Sequence, residues 1–313
     1  MSKLSRLIVV LGPTASGKSA LGLALAERFG GEILVCDSTQ VYRHFDIGTA
    51  KMPGSEQRGI RHHLVDLVEP HEVFTAGQYR ERAIDVLESV RRRNKLPIVT
   101  AGTGLYLRAL LEGLSDAPRR SEELRTRLRE RTRQMGPDSL HRLLKRLDPE
   151  AAGKVAPRDT QKIIRAVEMR ILAGKPIAEI HRSGRSPLQG YNVYKIGLQP
   201  PREQLYARID SRVKEMISLG WVDEVHRLVE QGIPADAKPF QFIGYAELRQ
   251  HIESGQNPEE AIPAIQQATR RFAKRQLTWF RKEPKVHWLS GLGDDPAVVS
   301  EAIDILERQG NSS

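Results

Sequence analysis

The sequence predicts an α/β fold in which a parallel sheet, covered by helices on both faces, is interrupted by a helical insertion. Three observations carry this expectation. Short apolar runs alternate with helical segments in the first third of the chain, and such a run returns at Tyr191. A Gly-rich loop, Gly12-Pro13-Thr14-Ala15-Ser16-Gly17-Lys18-Ser19, lies between the first run and the first helix. From Arg119 to Gly184 no run reads as a strand.

Residues 7–11 form the first expected strand. Residues 19–29 have apolar residues at helical spacing, and Gly30-Gly31 stops that helix. Residues 32–36 are the second strand, closed by Asp37-Ser38. Residues 74–93 read as a helix whose basic last turn, Arg91 to Arg93, suits its C-terminus. Residues 96–100 are the third strand, followed by Ala101-Gly102-Thr103-Gly104. The Arg-rich helical text that follows is broken at Gly136-Pro137, Asp148-Pro149 and Ala156-Pro157. Residues 191–198 return to strand-like alternation, and 202–219 form a helix stopped by Gly220. The C-terminal third is expected to be helical, with a frayed end at 310–313. The expected domains are 1–118 with 190–313 for the α/β core, and 119–189 for the helical insertion.

With 313 residues, 39% of them hydrophobic, the chain can build a substantial core. No run of about 18 apolar residues occurs, so no membrane span is expected, and the N-terminus does not read as a secretory leader. The single cysteine, Cys36, excludes an intrachain disulfide framework and a multi-cysteine zinc site, and suits a reducing, cytoplasmic setting. The histidines, His62-His63 included, have no metal-ligand spacing. The net charge of +10 points to a polyanionic partner, nucleic acid first. Residues 119–133 carry seven Arg against three Glu, and residues 270–285 carry seven Lys or Arg against one Glu. On a helical wheel, Arg270, Arg271, Lys274, Arg275, Arg281 and Lys282 fall within an arc of about 140°. Phe272, Ala273, Leu277, Trp279 and Phe280 take the other side and are expected to pack inward. A charge run is usually only a solvated face; its concentration here favours a polyanion footprint.

The Gly12–Ser19 loop matches G-x-x-x-x-G-K-[ST], in which backbone N–H groups and a helix N-terminus cradle an anion. Lys18 reaches terminal phosphates and Ser19 is placed to hold a metal ion. Such loops normally serve ATP or GTP, and the core is P-loop NTPase-like. Nucleotide hydrolases of this class also end a later strand in an acid that helps hold the metal. Here that strand ends in Thr103, and the nearby acid is Asp37, at the end of the strand after the loop. Strand C-termini converge in a parallel sheet, so Gly12–Ser19, Asp37 and Thr103 should face one another. A single carboxylate beside a phosphate site is more like a proton acceptor than a metal box. The competing role for Asp37 is a helix N-cap. Two functional alternatives compete at this point: a kinase of a nucleoside or metabolite, and a non-catalytic RNA-binding protein.

Taken together, the runs resemble one family. GPTASGKS, then CDSTQVYRHFDIGTAK, then AGTGLYLRALLEGL look like the tRNA dimethylallyltransferases, or tRNA isopentenyltransferases, of bacterial type. The likeness continues through residues 159–168, 205–212, 242–245 and 273–280, in order, from residue 7 to about 285. The resemblance implies transfer of a dimethylallyl group from dimethylallyl diphosphate to N6 of the adenosine just 3′ of the anticodon. The phosphate loop then holds the donor's diphosphate, with Mg²⁺ as cofactor on Ser19. By similarity Asp37 is the general base, Arg212 stabilises the leaving diphosphate, and Thr103 lies where donor and base meet. Arg208 is the substitute for Arg212, whose competing role is a salt bridge to Asp210 or Glu215.

Also by similarity, Asp37, Ser38, Thr39 and Gln40, together with Gln161, Lys162, Ile163, Ile164 and Arg165, contact the tRNA anticodon stem-loop. Arg125 is a further contact from the insertion. The family commonly has two glycines before the channel threonine; here they are Ala101-Gly102. No cysteine and histidine pattern follows residue 300, so the zinc finger of eukaryotic relatives is not expected. A monomer is expected.

Overall fold

The computed structural model describes residues 4–136, 138–184 and 186–310. It divides into two units, one reaching to Leu110 and resuming at Gln189, the other Leu111–Leu188. Of the expected frayed end at 310–313, Gly310 instead closes the last helix, and 311–313, like the break at Pro137, lie outside the described residues.

The first unit opens with β1 (Ser5–Leu11), α1 (Lys18–Phe29), β2 (Gly31–Cys36), β3 (His62–His63), α2 (Ala76–Arg92), β4 (Leu96–Ala101) and α3 (Gly104–Glu112). The helical unit contains α4 (Glu122–Met135), α5 (Ser139–Leu147), α6 (Pro149–Lys154), α7 (Thr160–Ala173) and α8 (Ile177–Arg182). The chain then forms β5 (Tyr191–Leu198), α9 (Arg202–Ser218), α10 (Trp221–Glu230), α11 (Tyr245–Glu253), α12 (Ile262–Phe280), β6 (Val286–Leu289) and α13 (Pro296–Gly310).

Six strands form one all-parallel sheet in the order β3-β2-β4-β1-β5-β6. β1 begins at Ser5, ahead of its apolar run, because Ser5 and Arg6 pair with Tyr191 and Asn192. Ladder hydrogen bonds need no apolar side chain. Leu7 to Leu11 are fully buried, as a strand with both faces covered requires. Ile8, Leu21, Leu25, Ile33, Ile98 and Ile196 share one core with Leu306 of α13. Phe45, from the segment between β2 and β3, packs with Trp221, Val225, Phe240, Tyr245 and Leu248 in a second core of the same unit.

Two strands were not expected. β6 has four residues between a basic helix and α13, too few to show alternation, and β3 is the histidine pair His62-His63. Each is an edge strand fixed by one neighbour, β5 and β2 respectively. The helical unit starts at Leu111 rather than 119, because Leu188 N–H bonds Leu111 C=O at 3.0 Å and Asp116 N–H bonds Ser183 C=O. These bonds tie residues 111–118 to its closing segment. Its own core contains Leu128, Leu140, Leu144, Ile163, Ile164 and Val167.

Candidate active site

The phosphate loop leaves β1 at the C-terminal edge of the sheet, beside the end of β4. Open α/β sheets bind ligands at such an edge, where strand order reverses. Ala15 has φ 61° and Gly17 φ 84°, so the loop folds tightly and α1 starts with no side-chain cap. Its first N–H groups are left for an anion. Ser16 Oγ, fully buried against Gly12, has no partner among the described residues.

Gln276 of α12 fastens this loop to β4. Its Oε1 accepts the Thr14 N–H at 2.8 Å, and its Nε2 donates to Gly102 C=O at 2.8 Å. Sequence reasoning treated α12 as a basic face opposite an apolar one and missed this residue. A signal was present, since Gln276 sits at about 240° on the wheel, within the apolar side. Trp279 departs from the expectation of inward packing: it is 37% exposed, with the Arg108 guanidinium 4.9 Å from its ring centroid. At about 180° it stands at the border of the apolar arc, which explains its exposure. The basic side chains Arg271, Lys274, Arg275, Arg281 and Lys282 do face outward.

Asp37 follows β2. No helix starts there, so it is not an N-cap; its Oδ1 accepts Thr39 N–H at 2.9 Å and Thr39 Oγ1 at 2.7 Å in a local turn. Its Oδ2 lies against Gly102, where a Cβ would collide with it and would stand 3.3 Å from Lys18 Cε. Glycine is therefore needed at 102, whereas the Ala101 methyl is buried at the end of β4 without distorting the turn. Thr103 Oγ1 accepts Ser38 N–H at 2.9 Å and donates to Ser38 Oγ at 3.2 Å. The threonine thus clamps the Asp37 turn from below. Gln40 Nε2 donates to Thr49 and Ala50 C=O at 2.9 and 3.1 Å, holding the next loop.

A cavity of about 390 Å³ opens on this set. Lys18, Ser19, Asp37, Gln40 and Arg212 form its polar end, and Val213, Met216, Trp221, Phe242 and Phe272 are among its apolar walls. Burial lowers the Lys18 ammonium to about 8, Asp37 raising it and Arg212 lowering it further. Burial also lowers Arg212, as does Arg208, against Glu215 and Asp37. Arg212 forms no ion pair among the described residues; Asp210 pairs with Arg270 instead. The salt-bridge role for Arg212 therefore falls away.

The remaining expected contacts lie in the helical unit. Gln161 and Lys162 are exposed at the start of α7. Ile163 and Ile164 are 1% exposed and belong to the core, so their side chains offer no RNA contact. Arg125 is also corrected: it is buried, with Nε and Nη2 each 2.9 Å from the Glu168 carboxylate. Glu168 further accepts from Arg165 and from Ser121 N–H. Burial opposes its charge, but Arg125 and Arg165 hold its pKa at about 2. The wheel of an Arg-rich helix does not reveal that one arginine turns inward to a buried acid.

No group of three or more His, Cys, Asp or Glu side chains suited to a metal occurs among the described residues. The Ser19 hydroxyl opens on this cavity at the phosphate loop, a sparse protein contribution that suits a hard divalent cation, which keeps waters and phosphate oxygens in its shell. Fold and site together define a phosphate-loop α/β protein with an anion cradle facing one carboxylate.

A family model described as IPP transferase matches residues 40–283. A tRNA dimethylallyltransferase of Koribacter versatilis (strain Ellin345) is 50% identical over 305 residues, covering 96% of this chain and 98% of that protein. Another, of Solibacter usitatus (strain Ellin6076), is 49% identical over 303 residues, covering 96% and 98%. The crystal structure of a full-length tRNA isopentenylpyrophosphate transferase from Bacillus halodurans superposes with TM-score 0.70 at 34% identity, covering 97% of this chain and 96% of that one. A eukaryotic dimethylallyltransferase acting on tRNA gives TM-score 0.81 at 26% identity, covering 98% and 80%. The chain belongs to the IPP transferase family, the tRNA dimethylallyltransferases, and is a prenyltransferase. The kinase and the non-catalytic alternatives receive no support from these relatives. No described helix is long and apolar enough to cross a membrane.

Proposed function

We propose that the cavity between Lys18, Asp37 and Arg212 joins dimethylallyl diphosphate to N6 of the adenosine 3′-adjacent to the anticodon, releasing diphosphate. The observation that carries this is the single carboxylate, Asp37 Oδ2, beside a phosphate loop and the cations Lys18 and Arg212 in one partly apolar cavity. An exocyclic aromatic amine is a weak nucleophile and must lose a proton as its new C–N bond forms. Asp37 accepts that proton, held in place by Thr39 and, through Ser38, by Thr103. Breaking the C–O bond of the donor leaves charge on the diphosphate. The loop N–H groups, Lys18 and Arg212 stabilise it. Mg²⁺ held through Ser19 would supply further neutralisation of that charge.

The apolar walls give the prenyl tail a dry environment. The target base must leave its stack to reach Asp37, at a cost of a few kcal/mol. Ser38 and Gln40 line its approach, and Gln161, Lys162 and Arg165 supply contacts to the anticodon stem-loop from the helical unit. We assign the chain to the cytoplasm, acting as a monomer.

The test is mass spectrometry of nucleosides from unmodified tRNA incubated with protein, Mg²⁺ and dimethylallyl diphosphate, beside an ATP-only reaction. A dimethylallyl adenosine formed only with the prenyl donor supports the proposal. ATP consumption without a prenyl product overturns it.

A further inference from the structure

A second recess beside the phosphate loop, about 460 Å³, is lined by Gly17, Lys18, Ser19, Arg208 and Arg212, with Glu56 and Glu215 also in its wall. Arg208 and Arg212 are one helical turn apart on α9, so their guanidinium groups repel each other across its rim. Of the two, only Arg208 forms an ion pair among the described residues: with Asp294, on the turn that precedes α13. The backbone joins the same two segments. Gly293 N–H donates to Ser16 C=O at 2.8 Å. A Cβ on Gly17 would stand 2.6 Å from Gly293 N and 2.8 Å from Asp294 Oδ1, and one on Gly293 would stand 2.5 Å from Gly17 O. A glycine on each side allows this approach.

We infer that Asp294 is a positioning residue for the anion site, holding Arg208 at the recess where it becomes a second guanidinium for the donor's diphosphate. The inference rests on the diphosphate reading above. Without Asp294, Arg208 is a long, rotamer-rich side chain pushed away by Arg212. With it, the fork is fixed beside the loop before any anion arrives, and the C-terminal segment braces the loop from behind. Stability does not account for the pair. The Arg208 and Asp294 side chains are 33% and 45% exposed, and exposed pairs add little to folding.

The experiment is steady-state kinetics with dimethylallyl diphosphate and unmodified tRNA, plus inhibition by inorganic pyrophosphate, for Asp294→Asn, Asp294→Glu and Lys18→Ala. Asp294→Asn should raise the donor KM and the pyrophosphate inhibition constant roughly tenfold, the scale of one lost charge-assisted contact. The tRNA KM and the melting temperature should stay at the wild-type values, and Asp294→Glu should restore most of the loss. A donor KM within about twofold of wild type in Asp294→Asn, or an equal rise in the tRNA KM, overturns the inference. Lys18→Ala separates the two levels. If it too leaves the donor KM unchanged, the diphosphate reading falls and this inference with it. If it raises that KM while Asp294→Asn does not, only the positioning role falls.

Discussion

The Asp37 carboxylate rests on the bare Cα of Gly102, sixty-five residues away in sequence and brought there by the pairing of β2 with β4. The contact leaves no room for a methyl group. Gly102→Ala should therefore displace Oδ2 and Lys18 together and lower kcat about 100-fold, the usual effect of a misplacement near 1 Å. Asp37→Asn keeps the shape and removes the base, so kcat should fall by about 100- to 10,000-fold. A gel-shift titration with tRNA should show binding retained in both. Equal loss of binding and turnover in Asp37→Asn would refute its assignment as base.

Thr103 should act through the Asp37 turn. Thr103→Val removes the acceptor for Ser38 N–H, so kcat should drop roughly tenfold, the scale of one hydrogen bond lost from a partly buried donor. Thr103→Ser keeps the hydroxyl and should stay within about threefold of wild type. Single-turnover rates at saturating donor check both.

The buried Lys18 sets a pH limit. Its pKa in the fold is about 8 against an ordinary 10.5, so the free protein loses this charge as pH rises through 8. The donor KM should climb above pH 8, and the climb should vanish in Lys18→Arg, which stays charged. Stability moves the other way. Between about 8 and 10.5 the unfolded chain binds more protons than the fold, so this group makes the protein more stable as pH rises there.

Glu168 governs the acid side. Its folded pKa of about 2 is below the ordinary 4.5, so the stability it contributes is fully present above 4.5 and is lost as pH falls towards 2. Glu168→Ala leaves Arg125 buried without its partner and should destabilise the helical unit by about 3 kcal/mol. Urea denaturation followed by circular dichroism at pH 7 and pH 3 should show a large difference from wild type at pH 7 and a smaller one at pH 3.

Much of this site can be read along the chain. The loop Gly12–Ser19 lies between an apolar strand and an amphipathic helix, and Asp37 and Thr103 each end a strand of the same parallel set. Parallel pairing alone places those strand ends together. The four residues of β6 could not be read, because an edge strand that short has no period of its own. Nor could the inward turn of Arg125, or the partners that Gln276 and Trp279 meet. Each of these depends on a distant element.

The sequence by itself determined strands β1, β2, β4 and β5, the anion loop and the identity of the lone carboxylate, because apolar periodicity and loop chemistry act over a few neighbouring residues. Only the tertiary structure decided which polar groups hold that carboxylate and that loop in place. Gln276 meets Thr14 across 262 residues of chain, and Asp294 meets Arg208 across 86. A buried or clustered polar group is stable only where the fold brings it a partner, and residue order does not encode that meeting locally.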